Sequence, residues 1–259
     1  MPEEVNKFYM NEYLQILPQC EKDNVLSLRE YQLRKRALLA RALVRTTIAR
    51  YQKSSRVDPK LLKFKKNVHG KPEVEWQHAG DFDQLQLHFN ISHTTSLIAC
   101  GITMNSPIGI DVEEKQRVIK NNILSFARRF FCPHEVEHLA SICDPEDQRQ
   151  EFIKLWTLKE SYKLLSSYKN ADFKASEILV KPVDHTSNLF ARDFRFALLE
   201  LAGTHYAAIC VEKDNTLEEK EGSPMNLKVW KTIPLVEDEC MSGTSSVLSV
   251  DGLINQLSI

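Results

Sequence analysis

The 259-residue chain has almost no net charge, no cysteine pairs at metal-type or redox-type spacing, and no long apolar run. Each absence removes a class of function. A formal charge of −1 argues against a protein that holds nucleic acid through overall basicity. No stretch approaches the roughly 20 apolar residues that a membrane helix needs. The opening residues, MPEEVNKFYMNEY, lack a basic region followed by an apolar core, so no secretory signal is expected and the expected compartment is the cytosol. Six cysteines (Cys20, Cys100, Cys132, Cys143, Cys210 and Cys240) are scattered without a C-x-x-C pair. They fit neither a zinc site nor a disulfide scaffold, and read as buried thiols in a reducing environment. What remains is 42 % apolar and 27 % charged, the composition of an ordinary soluble globular protein. The length allows one large domain or two modest ones.

Periodicity then places the elements. Residues 23–51 carry Leu38, Leu39, Ala42, Leu43 and Thr46 at helical spacing, with Arg34, Lys35, Arg36, Arg41 and Arg45 on a polar face. Asp58-Pro59 ends that pattern. Leu62 to Lys66 alternates as a strand does, and His69-Gly70-Lys71-Pro72 reads as a turn. Residues 85–91 alternate Leu85, Leu87, Phe89 and Ile91, a half-buried strand running into Ser92-His93. Leu97 to Ile102 and Ile108 to Glu113 read as two more strands. After a charged linker at 113–117, residues 119–131 look helical, and Pro133 opens a short acidic helix with Glu135 and Glu137. Residues 148–165 form another helix, with Phe152, Leu155, Trp156 and Leu158 at its apolar positions. Phe194 to Glu200 and His205 to Val211 read as a hairpin turning at Gly203. Helix, strands, helix, strands predicts an α+β protein of two similar halves. Residues 213–259, rich in Glu, Ser and Gly, are expected to form a partly disordered tail.

Some clusters can carry chemistry. In Gly109-Ile110-Asp111-Val112-Glu113, strand alternation puts Asp111 and Glu113 on one side. Two adjacent carboxylates repel unless a cation lies between them, and magnesium suits such hard oxygen donors. A solvated strand end would carry the same letters. In Trp156-Thr157-Leu158-Lys159-Glu160-Ser161, one helical turn separates the indole from Glu160, so a buried Trp and a carboxylate aimed at a neighbouring strand are compatible. A surface glutamate on an amphipathic helix is the alternative. In Phe89-Asn90-Ile91-Ser92-His93-Thr94, a strand ends in a hydroxyl and an imidazole, both able to donate to phosphate. Lys66 and Lys71 upstream add point charges. A nucleophile–base pair at Ser92-His93 is disfavoured, because adjacent strand residues point to opposite faces and no G-x-S-x-G surrounds them.

The three clusters in this order, F-N-I-S-H, G-I-D-V-E and W-T-L-K-E-S, resemble the surfactin-type 4′-phosphopantetheinyl transferases, most closely the plant members, over roughly residues 12–163 and 194–212. The resemblance implies two pseudo-symmetric α/β halves, each a helix on a small, mainly antiparallel sheet. It assigns residues 1–112 to a coenzyme A-binding half and 113–212 to a magnesium-binding, catalytic half. It implies Asp111, Glu113 and Glu160 as magnesium ligands, and Ser92 and His93 as contacts to coenzyme A phosphates. Lys66, Gly70 and Lys71 match the stretch that holds the nucleotide. Glu160 and Lys163 take the catalytic roles. The implied reaction moves phosphopantetheine from coenzyme A to a serine of an apo acyl or peptidyl carrier protein, releasing 3′,5′-ADP. The expected protein is a monomer, with no nucleic-acid or membrane partner.

The chain departs from the family pattern twice. It begins almost at the first helix, without the Trp-containing strand usual there. After Glu160-Ser161-Tyr162, Lys163 stands one residue early, Leu164 takes the usual lysine position, and no K-A-x-G-x-G turn follows. A relative that binds coenzyme A or carrier protein without efficient transfer is therefore the alternative reading. A phosphohydrolase using the same carboxylates fits less well, since two-metal sites draw more acidic or histidine ligands than the sequence offers.

Overall fold

A computed structural model of the protein describes residues 3–51, 57–68, 70–75, 87–104, 106–120, 122–166, 178–182, 194–212, 225, 227–241 and 247–254. His69 and Leu85, read above as parts of a turn and a strand, and residues 167–177, where the family's glycine-rich turn would fall, lie outside them. The class is α+β: helices with small sheets whose strand pairs are all antiparallel among the described residues. The chain divides into two compact units, Met1–Phe82 with Leu227–Gly243, and Asp83–Asn226 with Thr244–Ile259. No described helix is long and apolar enough to cross a membrane.

The first unit contains helices α1 (Glu3–Gln15), α2 (Gln19–Leu26) and α3 (Tyr31–Tyr51). The single helix expected over 23–51 is in fact α2 and α3. Ser27 ends α2, its N–H donating to Asp23 O at 2.9 Å. Arg34 then reaches back to the carbonyl of Leu28, Nη2 at 3.0 Å, and fixes the break. Tyr13, Leu17, Val25, Leu38 and Ala42 pack into a small core from all three helices. Arg45, expected on the solvated face, is 2 % exposed. It forks onto Glu21 through Nε at 2.9 Å and Nη2 at 2.7 Å, and Nη1 donates to the carbonyls of Pro59 and Leu62. A buried guanidinium is tolerated only with its donors satisfied in this way.

Two hairpins complete the unit. β1 (Lys63–Lys66) pairs with β2 (Pro72–Glu75), and β9 (Trp230–Ile233) pairs with β10 (Glu237–Cys240). Arg50 at the end of α3 pairs with Asp238 of β10 at 2.5 Å.

The second unit holds β3 (Leu87–His93) paired with β4 (Ile98–Met104), and a sheet in the order β5-β8-β7-β11-β6. Its strands are β5 (Ile108–Glu114), β6 (Ile178–Pro182), β7 (Phe194–Leu201), β8 (His205–Glu212) and β11 (Val247–Ile254). The stretch 213–259, expected as a partly disordered tail, thus supplies β9, β10 and β11. β11 lies between β6 and β7. Its apolar–polar alternation is weak, so nothing local marks it as a central strand. Helices α4 (Ile123–Phe130), α5 (Pro133–Ser141) and α6 (Pro145–Ser166) complete the unit. Phe152, Leu155, Leu158, Tyr162 and Leu165 of α6 pack with Phe194, Phe196, Leu198, Ala208 and Cys210 of the sheet. Of the cysteines, Cys132 and Cys210 are buried as expected, whereas Cys20, Cys143 and Cys240 are exposed.

Inside this core Lys159 and Glu135 form an ion pair at 2.8 Å, both almost fully buried. Glu135 also accepts the N–H of Cys132 at 2.9 Å, so one carboxylate starts α5 and ties it to α6. Breaking one half of such a pair strands a buried charge.

The approach of α6 to β5 is closer still. A Cβ built on Gly109 would stand 1.9 Å from Ser161 O and 2.7 Å from Leu165 N, both helix backbone. Only glycine fits there. Gly109→Ala should cost at least about 3 kcal/mol by urea unfolding, because the backbone of a packed helix must move. Gly101→Ala is the control. Its Cβ would meet the end of the Ile108 side chain, Cδ1 at 2.8 Å, and a rotamer change can relieve that, so it should cost clearly less.

Candidate functional site

Strand alternation puts Gly109, Asp111 and Glu113 on one face of β5. The Gly109 contact identifies that face as the one turned to α6. Trp156 of α6 agrees: its Nε1 donates to Glu113 Oε1 at 3.2 Å. The indole is held in an aromatic group, with ring centroids 5.3 Å from Phe126 and 5.6 Å from Phe130. Glu160 follows one turn later on α6, and its charge bears on both Asp111 and Glu113.

The two edges of β5 are satisfied differently. One edge pairs with β8. On the other, side chains of β3 stand in for a strand: Asn90 Oδ1 accepts from Ile110 N at 3.0 Å, and Ser92 Oγ accepts from Val112 N at 3.3 Å. The Ser92 hydroxyl then donates to Asp111 Oδ1 at 2.9 Å. Ser92 is therefore joined to the acidic strand through its side chain. His93, the next residue, is exposed at the end of β3.

Of the three carboxylates, Asp111 is the least compensated. Oδ2 is buried with no hydrogen-bond partner among the described residues. Burial, with the nearby charges of Glu113 and Glu160, pushes its carboxyl up to about 7 against the pull of the Ser92 hydrogen bond. Burial also raises Glu113, in part offset by Arg117 and the Trp156 indole. Arg117 pairs with Glu113 and lies 5.7 Å from the Trp156 ring centroid. Lys163 Nζ stands 3.1 Å from both oxygens of Glu160. Although one residue early for the family pattern, Lys163 projects to the same side as Glu160, because i+3 and i+4 both face i on a helix.

The three predicted acidic residues thus share one neighbourhood. Among the described residues, however, no group of three or more His, Cys, Asp or Glu is arranged so as to hold a metal ion. As placed, Glu113 and Glu160 each face a local cation, and Asp111 keeps a buried oxygen without a partner. That orphaned, desolvated oxygen beside two other carboxylates is an uncompensated negative charge of hard-oxygen type.

Lys66, Gly70 and Lys71 belong to the other compact unit. Lys66 ends β1 and is exposed, and Gly70 has φ +78°, the left-handed conformation that favours glycine in a turn. Asn67 closes the turn: its N–H donates to Lys71 O at 2.8 Å and its Oδ1 accepts Lys71 N at 3.0 Å. Burial lowers the Lys71 ammonium to about 8. Sequence reasoning missed Arg117, which read only as part of a charged linker. Its spacing, four residues from Glu113 across a turn, is the one local signal it offered.

Two family matches cover most of the chain. Residues 6–103 match the family described as "4'-phosphopantetheinyl transferase, N-terminal", and residues 107–210 the "4'-phosphopantetheinyl transferase superfamily". Among individual relatives, 4'-phosphopantetheinyl transferase HetI of Nostoc sp. is 33 % identical over 153 residues, 58 % of this chain and 60 % of the relative. A 4'-phosphopantetheinyl transferase of Bacillus subtilis is 34 % identical over 127 residues, 49 % of this chain and 50 % of the relative. 4'-phosphopantetheinyl transferase gsp of Aneurinibacillus migulanus is 40 % identical over 99 residues, 38 % of this chain and 35 % of the relative. The chain spans about half the length of the curated relatives it matches.

The Asp111 environment gives a pH-dependent expectation. A carboxyl raised in the folded state contributes stability below its unfolded pKa and loses it as pH rises through the folded value of about 7. In chelator, Asp111→Asn should therefore melt above the wild type at pH 8. The gap should close towards pH 5, where Asp111 is protonated. Melting curves at the two pH values check this, and a gap that widens at pH 5 contradicts it.

Proposed function

We propose, because the chain belongs to the 4′-phosphopantetheinyl transferase family, that it transfers the phosphopantetheine arm of coenzyme A to a serine of an apo acyl or peptidyl carrier protein. The observation that carries the proposal is the buried, unpartnered Asp111 Oδ2 beside Glu113 and Glu160. A carboxylate so desolvated, where β5 meets α6, is expected at a functional site more than in a structural pair. In the proposed reaction the serine Oγ forms a bond to the β-phosphorus of coenzyme A. The bond from that phosphorus to the bridging oxygen breaks, and 3′,5′-ADP leaves. Asp111, Glu113 and Glu160 would hold magnesium, which when bound supplies positive charge to the diphosphate. Glu160, half-buried beside Asp111 and Glu113, takes the serine proton. Lys163, already at the Glu160 carboxylate, meets the negative charge that develops on phosphate.

The nucleotide end falls to Lys66, Gly70 and Lys71. Half-buried Lys71, lowered to about 8, would regain its full charge against a phosphate. Exposed His93 donates to coenzyme A phosphate, and Ser92 orients Asp111 as well as contacting phosphate. This reading takes residues 1–112 as the coenzyme A-binding half and 113–212 as the half with the catalytic helix, and Asp111 lies at the end of the first. The rest of the reading is a cytosolic monomer, closest to plant members of the family.

One observation favours a second reading. Lys163 stands one residue early and pairs with Glu160, which neutralises the proposed base. Under that reading the chain binds coenzyme A or carrier protein and transfers poorly. Intact-mass analysis after incubation with coenzyme A, magnesium and an apo carrier separates the two. Transfer adds about 340 Da, the mass of the arm. Glu160→Gln should lower the rate by about 10²-fold or more. Loading by Glu160→Gln at the wild-type rate overturns the assignment of Glu160, and a wild-type chain that adds no mass to any carrier favours the second reading.

A further inference from the structure

The turn that joins β3 to β4 begins directly after Ser92 and His93, and it is fastened from below by a residue far away in sequence. Thr94 N donates to Leu97 O at 2.9 Å and closes the turn. Thr94 Oγ1 accepts the N–H groups of Ser96 at 3.3 Å and Leu97 at 3.1 Å. With both lone pairs engaged, the hydroxyl has one proton left to give. His205 Nε2 lies 3.0 Å away. Ser96 Oγ stands 3.1 Å from the same nitrogen and 3.3 Å from Glu114 Oε1. Thr95 Oγ1 also donates to Glu114. On the far side of the ring, Nδ1 lies 2.8 Å from Thr204 Oγ1. The imidazole is 4 % exposed and sits opposite Glu114 in the β5–β8 register.

We infer that His205 is a positioning residue: from the first position of β8 it holds the Thr94–Leu97 turn, and through it sets Ser92 and His93 for coenzyme A. The inference rests on the proposed function for what the turn binds, but not for how the turn is held. β3 and β4 form a separate two-stranded sheet. At its Ser92–His93 end it is joined to the larger sheet by the Ser92 contacts with β5, by the hydroxyls of Thr95 and Ser96 on Glu114, and by this ring. The inference includes a tautomer: Thr94, with both lone pairs engaged, donates to Nε2, the neutral ring carries its proton on Nδ1 and donates it to Thr204, and the Ser96 hydroxyl gives its proton to Glu114 or to Nε2. His205 works from beneath the turn, and its side chain is too buried to touch the cofactor.

The two ring nitrogens have different substitutes, and this gives the test. A glutamine places its carbonyl near the Nε2 position and can still accept from Thr94. An asparagine reaches only the Nδ1 position, towards Thr204. His205→Asn should raise the KM for coenzyme A about tenfold with kcat little changed, whereas His205→Gln should stay within about twofold of wild type. Nitrogen-15 NMR of the histidine-labelled wild type should show Nε2 unprotonated and Nδ1 protonated. Thr94→Val should shift the Nε2 resonance and raise the same KM, and it replaces His205→Asn if that variant does not fold. A protonated Nε2 in the neutral protein, or equal KM values for the Asn and Gln variants, overturns the inference. If the wild type transfers nothing, the functional reading fails by itself. The Nε2 resonance and its response to Thr94→Val then decide whether the ring holds the turn, and an unmoved resonance refutes it.

Discussion

Backbone contact between β5 and α6 at Gly109 is the constraint on which the acidic centre depends. With no side chain between them, the strand lies against the Ser161 carbonyl and the Leu165 amide. Period-two alternation then turns Asp111 and Glu113 to the same helix. Glu160, next to Ser161 in the chain, comes with the contact. A larger residue at 109 would lift the strand and open the space to water. Asp111 would then be hydrated and its carboxyl would fall back towards an ordinary value. The elevation to about 7 is thus a consequence of packing, transmitted over one step of the strand.

Adjacent residues of α6 deal with buried charge in opposite ways. Lys159 is buried and fully compensated: Glu135 faces it at 2.8 Å, and the Phe131 ring centroid lies 5.5 Å from Nζ. This pair joins two helices and leaves little charge to act on anything else. Glu160 points to the acidic side, where repulsion is left standing. Folding prefers the first arrangement, since an uncompensated cluster destabilises the native state at neutral pH. Keeping the second is a local cost carried by the large apolar core around Phe152, Phe196 and Leu198.

Local signals made much of this legible. The strands bearing Phe89-Asn90-Ile91-Ser92-His93 and Gly109 to Glu113 fall close to the expected bounds, because each alternates cleanly and ends in polar residues. The same alternation placed Asp111 beside Glu113, and helical spacing placed Trp156 with Glu160. Long-range partners were hidden. Nothing near Arg45 announces Glu21, so a helix-face reading sends that guanidinium to solvent. Nothing near Lys159 announces Glu135. Strand β11 pairs on both edges with segments far upstream, and its own composition reads as tail. Asn90 and Ser92 were legible as polar strand residues, but not as substitutes for a neighbouring strand. That role exists only once β5 lies beside them.

Charge counting carries the argument one step further. Asp111, Glu113 and Glu160 face Arg117 and Lys163, so the fully ionised cluster holds one more negative charge than positive. Arg117 and Lys163 are the more exposed members of their pairs, and water screens what they offer. The excess therefore resides at Asp111, the residue with the least access to water and an oxygen without a partner. A divalent cation alone would turn the excess of one negative charge into an excess of one positive charge. A divalent cation arriving with a diphosphate would nearly preserve it. Under the proposed function, a cation held here and a phosphorylated ligand would each offset the charge that the other brings. Such coupling is reciprocal: whatever the ligand contributes to ion affinity, the ion contributes to ligand affinity.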